Sequence, residues 1–346
     1  MVISNWGKIE KLFLIFLFMS QSQVYFLQFQ DLDKLRDLLP EFQPSLGLKT
    51  HFGEDHNNTY LPPELVKQVS EMVSSPTLVE NSVLYRGRRS RASTHKELAR
   101  ENGYDFAPLH FLDGEEGDDE TEVEINGEHF NTCYLGQGLE GYSSLLVVSH
   151  FKGHVLSNFG GALKNLGMGL ANRRGKLNQH ESIKHQINQE NCIACGICLF
   201  HCPVEAISWN DQGKAQIDTQ VCISCSKCIS VCPQDAVEVP VTETASQTLQ
   251  ERIAEYAYAG AKDKQCFYVN FLKNITEGCD CEMREMEPLT EDIGVLASDD
   301  PVALDQASYD LVVEQYPGFE KFNGDHQLQH AEDMGLGTRK YELQRL

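Results

Sequence analysis

Eight of the twelve cysteines fall into two copies of one spacing. The first is Cys192-x-x-Cys195-x-x-Cys198-x-x-x-Cys202, ended by Pro203. The second is Cys222-x-x-Cys225-x-x-Cys228-x-x-x-Cys232, ended by Pro233, and it lies thirty residues further on. The first three cysteines of a run sit on one tight loop, so their thiolates converge on three corners of a cube. In runs of this kind the fourth cysteine ligates the other cluster. The expectation is two 4Fe-4S clusters. Cluster I would be held by Cys192, Cys195, Cys198 and Cys232, and cluster II by Cys222, Cys225, Cys228 and Cys202. Structural zinc would use two separated C-x-x-C pairs and leave the x-x-x-Cys-Pro ending without a purpose. Disulfides suit a small secreted chain, which this is not.

The spacing is that of bacterial two-cluster ferredoxins, whose small α+β module would here occupy residues 186–240. The rest is long enough to bury a core of its own. Strands expected to share one sheet lie on both sides of the module, so it reads as an insertion into an α/β domain spanning 19–185 and 241–346. Polar stretches, Arg173 to Gln189 and Pro240 to Gln247, read as its linkers. Residues 1–18 read as a non-native extension. They carry Lys8 and Lys11 before a short apolar run, Leu12 to Met19, which is too short to span a bilayer and has no small-residue cleavage site after it. Met19 is then the expected start.

The chain carries 51 acidic and 29 basic residues, a formal charge of −22. That balance speaks against nucleic acid and against an anionic membrane surface, both of which demand a basic face. It suits docking with a basic redox partner protein. Thiolate clusters require a reducing compartment, and the expected location is cytoplasmic.

Apolar runs alternate with amphipathic ones. Strands are expected at Val24–Phe29, Leu46–Phe52, Thr77–Glu80, Leu145–Ser149, Cys266–Phe271 and Ile293–Ala297. Helices are expected at Leu32–Leu39, Pro63–Ser74, Thr94–Asn102, Gly161–Ala171, Ala245–Ala259, Pro301–Glu314 and Gln327–Met334. This alternation predicts an α/β fold with a mostly parallel sheet and flanking helices. A hairpin over 122–132 would turn at Asn126-Gly127, a type I′ signal. Cys133 and Cys266 fall in strand patterns and read as core.

In an open parallel sheet, ligands bind at the carboxyl ends of the strands. Those ends here deliver Lys49, His51 and Glu54; Glu80 and Asn81; His150, Lys152 and His154; Asn270 and Asn274; and Ser298, Asp299 and Asp300. Asp300 reads better as a helix cap than as a ligand. Gly160-Gly161 opens a helix whose free N–H groups would attract an anion, with Lys164 one turn in to close over it. The bland alternative is close packing with exposed His and Lys. Lys49, His150, Lys152, His154 and Lys164 are the candidates for binding a small anionic ligand or moving protons, and Gly160 and Gly161 for the anion site. Cys279 and Cys281 are candidates for an additional metal ion with histidine partners, or for a redox pair. Lys49, His51, His150, His154, Lys164 and the Cys279–Cys281 pair are expected to converge at one edge of one sheet.

Several strings carry a resemblance: KTHFGE (49–54), LYRGRRS (84–90), SHFKGH (149–154), FGGALKNLGMG (159–169), NFLKNITEGCDC (270–281) and SDDPVALDQASYDLV (298–312), with the double cysteine run between them. In this order they resemble the prokaryotic iron–sulfur-centre proteins of the DUF362 family (domain of unknown function 362). The resemblance runs from about Val24 to the C-terminus. It implies an α/β fold, a ferredoxin insert in this place, two clusters, and a chain that begins with the Val24 strand. It implies no reaction. Glu80-Asn81-Ser82 departs from the Asp-Thr-Asn that relatives carry.

Two functions fit. One is an oxidoreductase in which the clusters pass electrons to a substrate or metal pocket in the α/β domain. The other is a non-catalytic electron carrier, or an iron–sulfur sensor or docking protein. No P-loop and no G-x-G-x-x-G follows the first strand, so nucleotide binding is not supported.

Overall fold

The computed structural model describes residues 21–346, apart from 85–86, 181–184, 203, 223–227, 229–231, 235, 239–242 and 283. The expected extension, Pro203 and Cys225 lie outside the described residues. The strands are β1 (Ser22–Leu27), β2 (Leu46–Lys49), β3 (Thr77–Glu80), β4 (Leu109–Phe111), β5 (Glu120–Glu124), β6 (Thr132–Gly136), β7 (Ser144–His150), β8 (Lys152–His154), β9 (Asn158–Gly160), β10 (Gln186–Ile187), β11 (Ile207–Trp209), β12 (Ala215–Ile217), β13 (Val237–Glu238), β14 (Gln265–Leu272), β15 (Gly294–Ser298) and β16 (Tyr341–Arg345). The α-helices are α1 (Pro63–Ser70), α2 (Ala92–Glu101), α3 (Ala162–Leu170), α4 (Arg173–His180), α5 (Ile197–His201), α6 (Glu243–Ala261), α7 (Pro301–Gln315) and α8 (Asp325–Asp333).

Eight strands form one sheet in the order β16-β1-β15-β14-β7-β2-β3-β4. β14, β7, β2, β3 and β4 are mutually parallel. Their sequences are apolar on both faces because both faces are covered. Leu145 and Val147 of β7 pack on one side, in a core shared with α3, α6, α7 and α8. Leu146 and Val148 pack on the other, with α1 and α2. The result is three layers, helix–sheet–helix.

Chain order fixes where a ligand can bind. From β2 the chain moves outward to β3 and β4, then returns to place β7 on the other side of β2, with β14 beyond it. The order therefore reverses between β2 and β7. At such a switch point the following connections leave in opposite directions and open a crevice at the carboxyl ends.

Several expectations need correction. The Ile293–Ala297 strand belongs to β15, which runs antiparallel to both β14 and β1. Its end therefore faces the opposite edge, so Ser298, Asp299 and Asp300 are not at the crevice. Asp300 instead caps α7, accepting from the N–H groups of Val302 and Ala303, with Pro301 in the first turn. The helix expected at Leu32–Leu39 is a 3-10 run over Phe29–Asp37; its buried Leu32 and Leu35 are three apart, the period of that helix. The entry linker contains α4, whose Lys176 and Gln179 are buried. The β5–β6 hairpin does not turn at Asn126-Gly127. Gly127 N–H donates to Phe130 O, so the chain reverses at Glu128-His129. The cause is long-range: the Glu255 carboxylate of α6 sits in the turn and accepts from the N–H groups of His129 and Phe130.

Among its described residues, the cysteine segment repeats in structure at matching positions. β10 pairs with β13 through Ile187 and Val237, and β12 pairs with β11 through Ile217 and Ile207. These positions correspond by a shift of thirty. Cys192 N–H donates to Asn188 O at 3.0 Å, and Cys222 N–H to Asp218 O at 2.9 Å. Ala206 N–H donates to Cys202 Sγ, and Ala236 N–H to Cys232 Sγ, both at 3.2 Å.

Candidate functional site

The crevice holds a cavity of about 200 Å³. That is small for a nucleotide and suits a metal ion with a small ligand. Lys49, His51, His150, Lys152, His154 and Lys164 all line it, as do Gly160, Gly161, Cys279 and Cys281. The structure thus brings together residues separated by more than two hundred positions. β2 supplies Lys49 and the following turn His51. β7 supplies His150, and the small β8–β9 ribbon after it supplies Lys152 and His154. Lys164 projects from α3. The two cysteines come from the loop after β14. Met168 of α3 and Leu249 and Ile253 of α6 give the cavity an apolar wall.

The lysines are not free cations. Buried Lys49 contacts Glu80 Oε1 at 3.0 Å and donates to Asn165 Oδ1 at 2.7 Å. Burial lowers its pKa, and Glu80 only partly opposes this. Arg89 lies 3.8 Å from Glu80 and 3.5 Å from Glu54, which extends the buried chain of charges. Lys152 contacts Asp280 Oδ2 at 3.0 Å. Burial works against its charge, but Asp280, Cys279 and Cys281 outweigh it and the pKa is raised. Lys164 Nζ lies 3.6 Å from Cys279 Sγ. The lysines expected to bind an anion already have one each.

The helix-start anion site needs the same correction. The N–H groups of Ala162 and Leu163 donate to the two oxygens of Asp305, at 2.8 and 2.9 Å. The anion at this helix start is the protein's own carboxylate. Gly161 is glycine because a Cβ there would collide with Asp305, and Gly169 because Lys49 passes over it. Gly167 lets α3 approach Ile253 O of α6. Close packing accounts for these glycines.

Hydrogen-bond partners assign the imidazole tautomers. His51 Nδ1 accepts from Gly53 N–H at 3.0 Å, so its proton is on Nε2, a buried atom with no partner. His154 Nδ1 accepts from the N–H groups of Leu156 and Ser157, so its proton is also on Nε2. His180 Nδ1 donates to Lys176 O at 2.7 Å, which leaves Nε2 as a lone pair. Burial lowers the pKa of all three, that of His180 to about 4. His150 has both nitrogens engaged, Nδ1 with Asp280 at 2.8 Å and Nε2 with Lys273 O at 2.7 Å. It fixes Asp280 and has no nitrogen left for a ligand.

Cys279 is also strongly perturbed. Its pKa falls well below the usual thiol value: Cys281 bonds to it, and Lys164 and His154 add to this against the cost of burial. Cys281 N–H also donates to Cys279 Sγ at 3.4 Å. Cys281 is pushed the other way, by the neighbouring thiolate and by burial. Of the two, Cys279 is the one favoured as the thiolate. The ligand atoms of His154, Cys279 and Cys281 lie within 4.8 Å of one another, a possible metal-binding group.

Spacing gives Asp280 no role, yet it joins His150 to Lys152 and fixes the loop that presents both cysteines. Asn165 is as central: it accepts from Lys49 and donates to Ser149 Oγ at 3.0 Å. His180 and Lys176 line the cavity because α4 folds back over it. Burial lowers the Lys176 pKa to about 8. An amphipathic count over Arg173–His180 does not reveal that helix, since its buried residues are polar.

The other cysteines gather separately. Cys192, Cys195 and Cys198 of the first run and Cys232 of the second line one small cavity with Pro233. Cys198 and Cys228 are buried, and Cys192, Cys202 and Cys232 pack against them. Cys222 is half-buried. Cys133 is buried in β6, and Cys266 is half-buried in β14. No helix among the described residues is long and apolar enough to cross a membrane.

None of the curated proteins matches this chain. Among solved structures it is similar to a Thermotoga maritima protein determined by a structural-genomics consortium, at 12% identity and a TM-score of 0.41 over 84% of this chain. It is also similar to the lactate racemase apoprotein from Thermoanaerobacterium thermosaccharolyticum, at 10% identity and a TM-score of 0.42 over 85% of this chain. The matches cover 58% of each of those proteins' own length. A family model described as a domain of unknown function (DUF362) matches residues 46–310, most of the chain, and the protein belongs to that family.

Proposed function

We propose that this protein is an iron–sulfur redox protein that holds two 4Fe-4S clusters and carries a thiol-anchored metal site in its switch-point cavity. Cluster I would take Cys192, Cys195, Cys198 and Cys232; cluster II would take Cys222, Cys225, Cys228 and Cys202. The observation that carries this reading is the small cavity where three thiols of the first run meet Cys232 of the second. The N–H donors to Cys202 and Cys232 suit thiolate ligands, whose charge they offset. When bound, such clusters supply single electrons.

At the main cavity, Cys279 and Cys281 would anchor a thiophilic metal such as zinc, with His154 as a third ligand and one position open. Ligation through His154 Nε2 needs the ring proton on Nδ1. The ring must then give up the Leu156 and Ser157 amides, so the thiols anchor the site and His154 adjusts to it. A metal bound through both sulfurs would release the Cys281 proton and free Lys164 from Cys279. The natural reaction class is a redox conversion of a small molecule, which makes the protein an oxidoreductase.

The electron-carrier reading has one observation of its own. Ile193 and Phe200, beside the first run, are 59% and 86% exposed, an apolar face on which a redox partner could dock. The deciding experiment is anaerobic purification with iron, sulfide and metal analysis. About eight iron and eight sulfide per chain are expected. A further metal should be lost in Cys279→Ser/Cys281→Ser while the iron stays. Absence of iron refutes the cluster reading. A full cluster load with no metal dependent on the two cysteines leaves the carrier reading.

A further inference from the structure

A second group of metal-ligating side chains lies on the far side of α6 from the cavity. Leu249 and Ile253 of α6 face the cavity. Glu251 and Glu255, each two residues on, face the opposite way, since two residues of helix turn the chain by about 200°. There α8 presents His326 and His330, again four apart, and the β5–β6 turn lays His129 across them. His129 Nε2 lies 2.8 Å from Glu251 Oε2, His326 Nδ1 3.2 Å from Glu251 Oε1, and His330 Nε2 3.0 Å from Glu255 Oε1. The His129 and His330 rings are 5.7 Å apart. One ligand atom each from His129, Glu255 and His330 lies within 4.8 Å of the other two.

We infer that His129, Glu255 and His330 form a second divalent-metal site of the zinc class, with Glu251 beside it. The donor set, two imidazoles and a carboxylate, is one that zinc takes with a fourth position open. Glu255 is already oriented as a ligand would be. It is fully buried, and the His129 and Phe130 N–H groups hold its two oxygens at 2.8 and 2.9 Å. A Cβ at Gly127 would collide with Glu255, so the turn is shaped around this carboxylate. The site is reachable. His330 and His129 are partly exposed, and His326 borders an open cleft of about 370 Å³ with Asp325 and Gln247. A metal here would clamp the β5–β6 turn to α6 and α8 and hold the helix that forms the apolar wall of the cavity.

The test uses the full-length, cluster-loaded protein carrying Cys279→Ser/Cys281→Ser, which removes the thiol anchor of the first site. After mild chelator treatment, Zn²⁺ is titrated calorimetrically. One Zn²⁺ per chain is expected. His330→Gln or His129→Gln should each weaken it at least about 100-fold, the upper end of what losing a mere supporting contact costs. Circular dichroism and cluster absorbance check that the variants fold. The protein with native histidines gives an independent readout: Zn²⁺ should protect His129 and His330 from diethylpyrocarbonate, read by peptide mass mapping. No zinc bound by the thiol-free protein, zinc binding indifferent to both substitutions, or unchanged labelling of the two histidines would each overturn the site. The five residues would then be plain ion pairs.

Discussion

Replacing Asp280 with Asn tests the electrostatic framework of the cavity. Asp280 is 1% exposed, accepts from His150 Nδ1 at 2.8 Å and meets Lys152 Nζ at 3.0 Å. Asn keeps the shape and removes the charge. The buried Lys152 ammonium then loses its nearest counter-ion, and breaking such a pair costs about 3–5 kcal/mol. With a urea dependence of about 3 kcal/mol per molar, the unfolding midpoint should fall by about 1–1.7 M. The pH dependence has a definite sign. Lys152 has a raised pKa in the fold, so its contribution is complete below its ordinary value of 10.5 and is lost as pH rises through the folded value. The Asp280 pKa is lowered: burial alone would raise it, but His150 and Lys152 prevail. Its contribution is complete above its ordinary value of 3.8 and is lost as pH falls through the folded value. The penalty in the variant should therefore be flat from about pH 5 to 9 and shrink outside that window. The assay is urea unfolding by circular dichroism under anaerobic conditions, with Lys152→Met and the double variant completing a cycle. A penalty below about 1 kcal/mol, or a cycle with no coupling, would refute the reasoning and place Asp280 in contact with water.

Cys232→Ser should remove the cluster bound by Cys192, Cys195 and Cys198 and roughly halve the iron from about eight per chain; loss of the Cys222 cluster instead, seen by electron paramagnetic resonance, would reverse the ligand assignment. In the metal-free protein, iodoacetamide should alkylate Cys279 well below the pH at which ordinary thiols react, because its pKa is lowered and the thiolate persists as pH falls. Lys164→Met should move that profile to higher pH, and an unchanged profile would mean Lys164 does not hold the thiolate. Gly167→Ala should force α3 away from Ile253 O and destabilise the fold by about 1–3 kcal/mol; a neutral effect in thermal unfolding would show that the two helices are not tightly packed there.

The apolar runs of β2, β3, β7 and β14 were legible because parallel strands buried on both faces leave no alternation to misread. The residues just beyond them were legible as cavity residues for the same topological reason. The direction of β15 was not, because an apolar run has the same composition whichever way it points. Nor were the charge partners. Lys49 reads as a free cation until β3 places Glu80 beside it. The N–H groups of Ala162 and Leu163 read as open until Asp305, more than 140 residues later, is folded over them. The hairpin turn failed for a related reason, since Asn126-Gly127 has the right local chemistry and loses to a carboxylate arriving from α6. The last three errors each concern a polar group whose partner is distant in sequence, and local patterns carry no information about such pairs.

The charge pairing also bears on what the cavity is suited to bind. Lys49 is matched by Glu80, Lys152 by Asp280 and Lys164 by the Cys279 thiolate. An entering anion must compete with a carboxylate already 3.0 Å from each of the first two lysines, and those pairs are buried and well connected. The third pair differs. Its anion is a thiolate at 3.6 Å, a longer contact to a softer partner, and Lys164 is itself partly exposed. It is the pair that gives way at least cost. A soft cation bound there would gain two thiolates at the expense of one weak contact and one thiol proton, and would leave an ammonium free at the cavity wall. The His51 Nε2–H, buried and unpartnered, lines the same space. If a metal took Cys279 as proposed, Lys164 and the His51 Nε2–H would be the groups left to receive an anionic ligand.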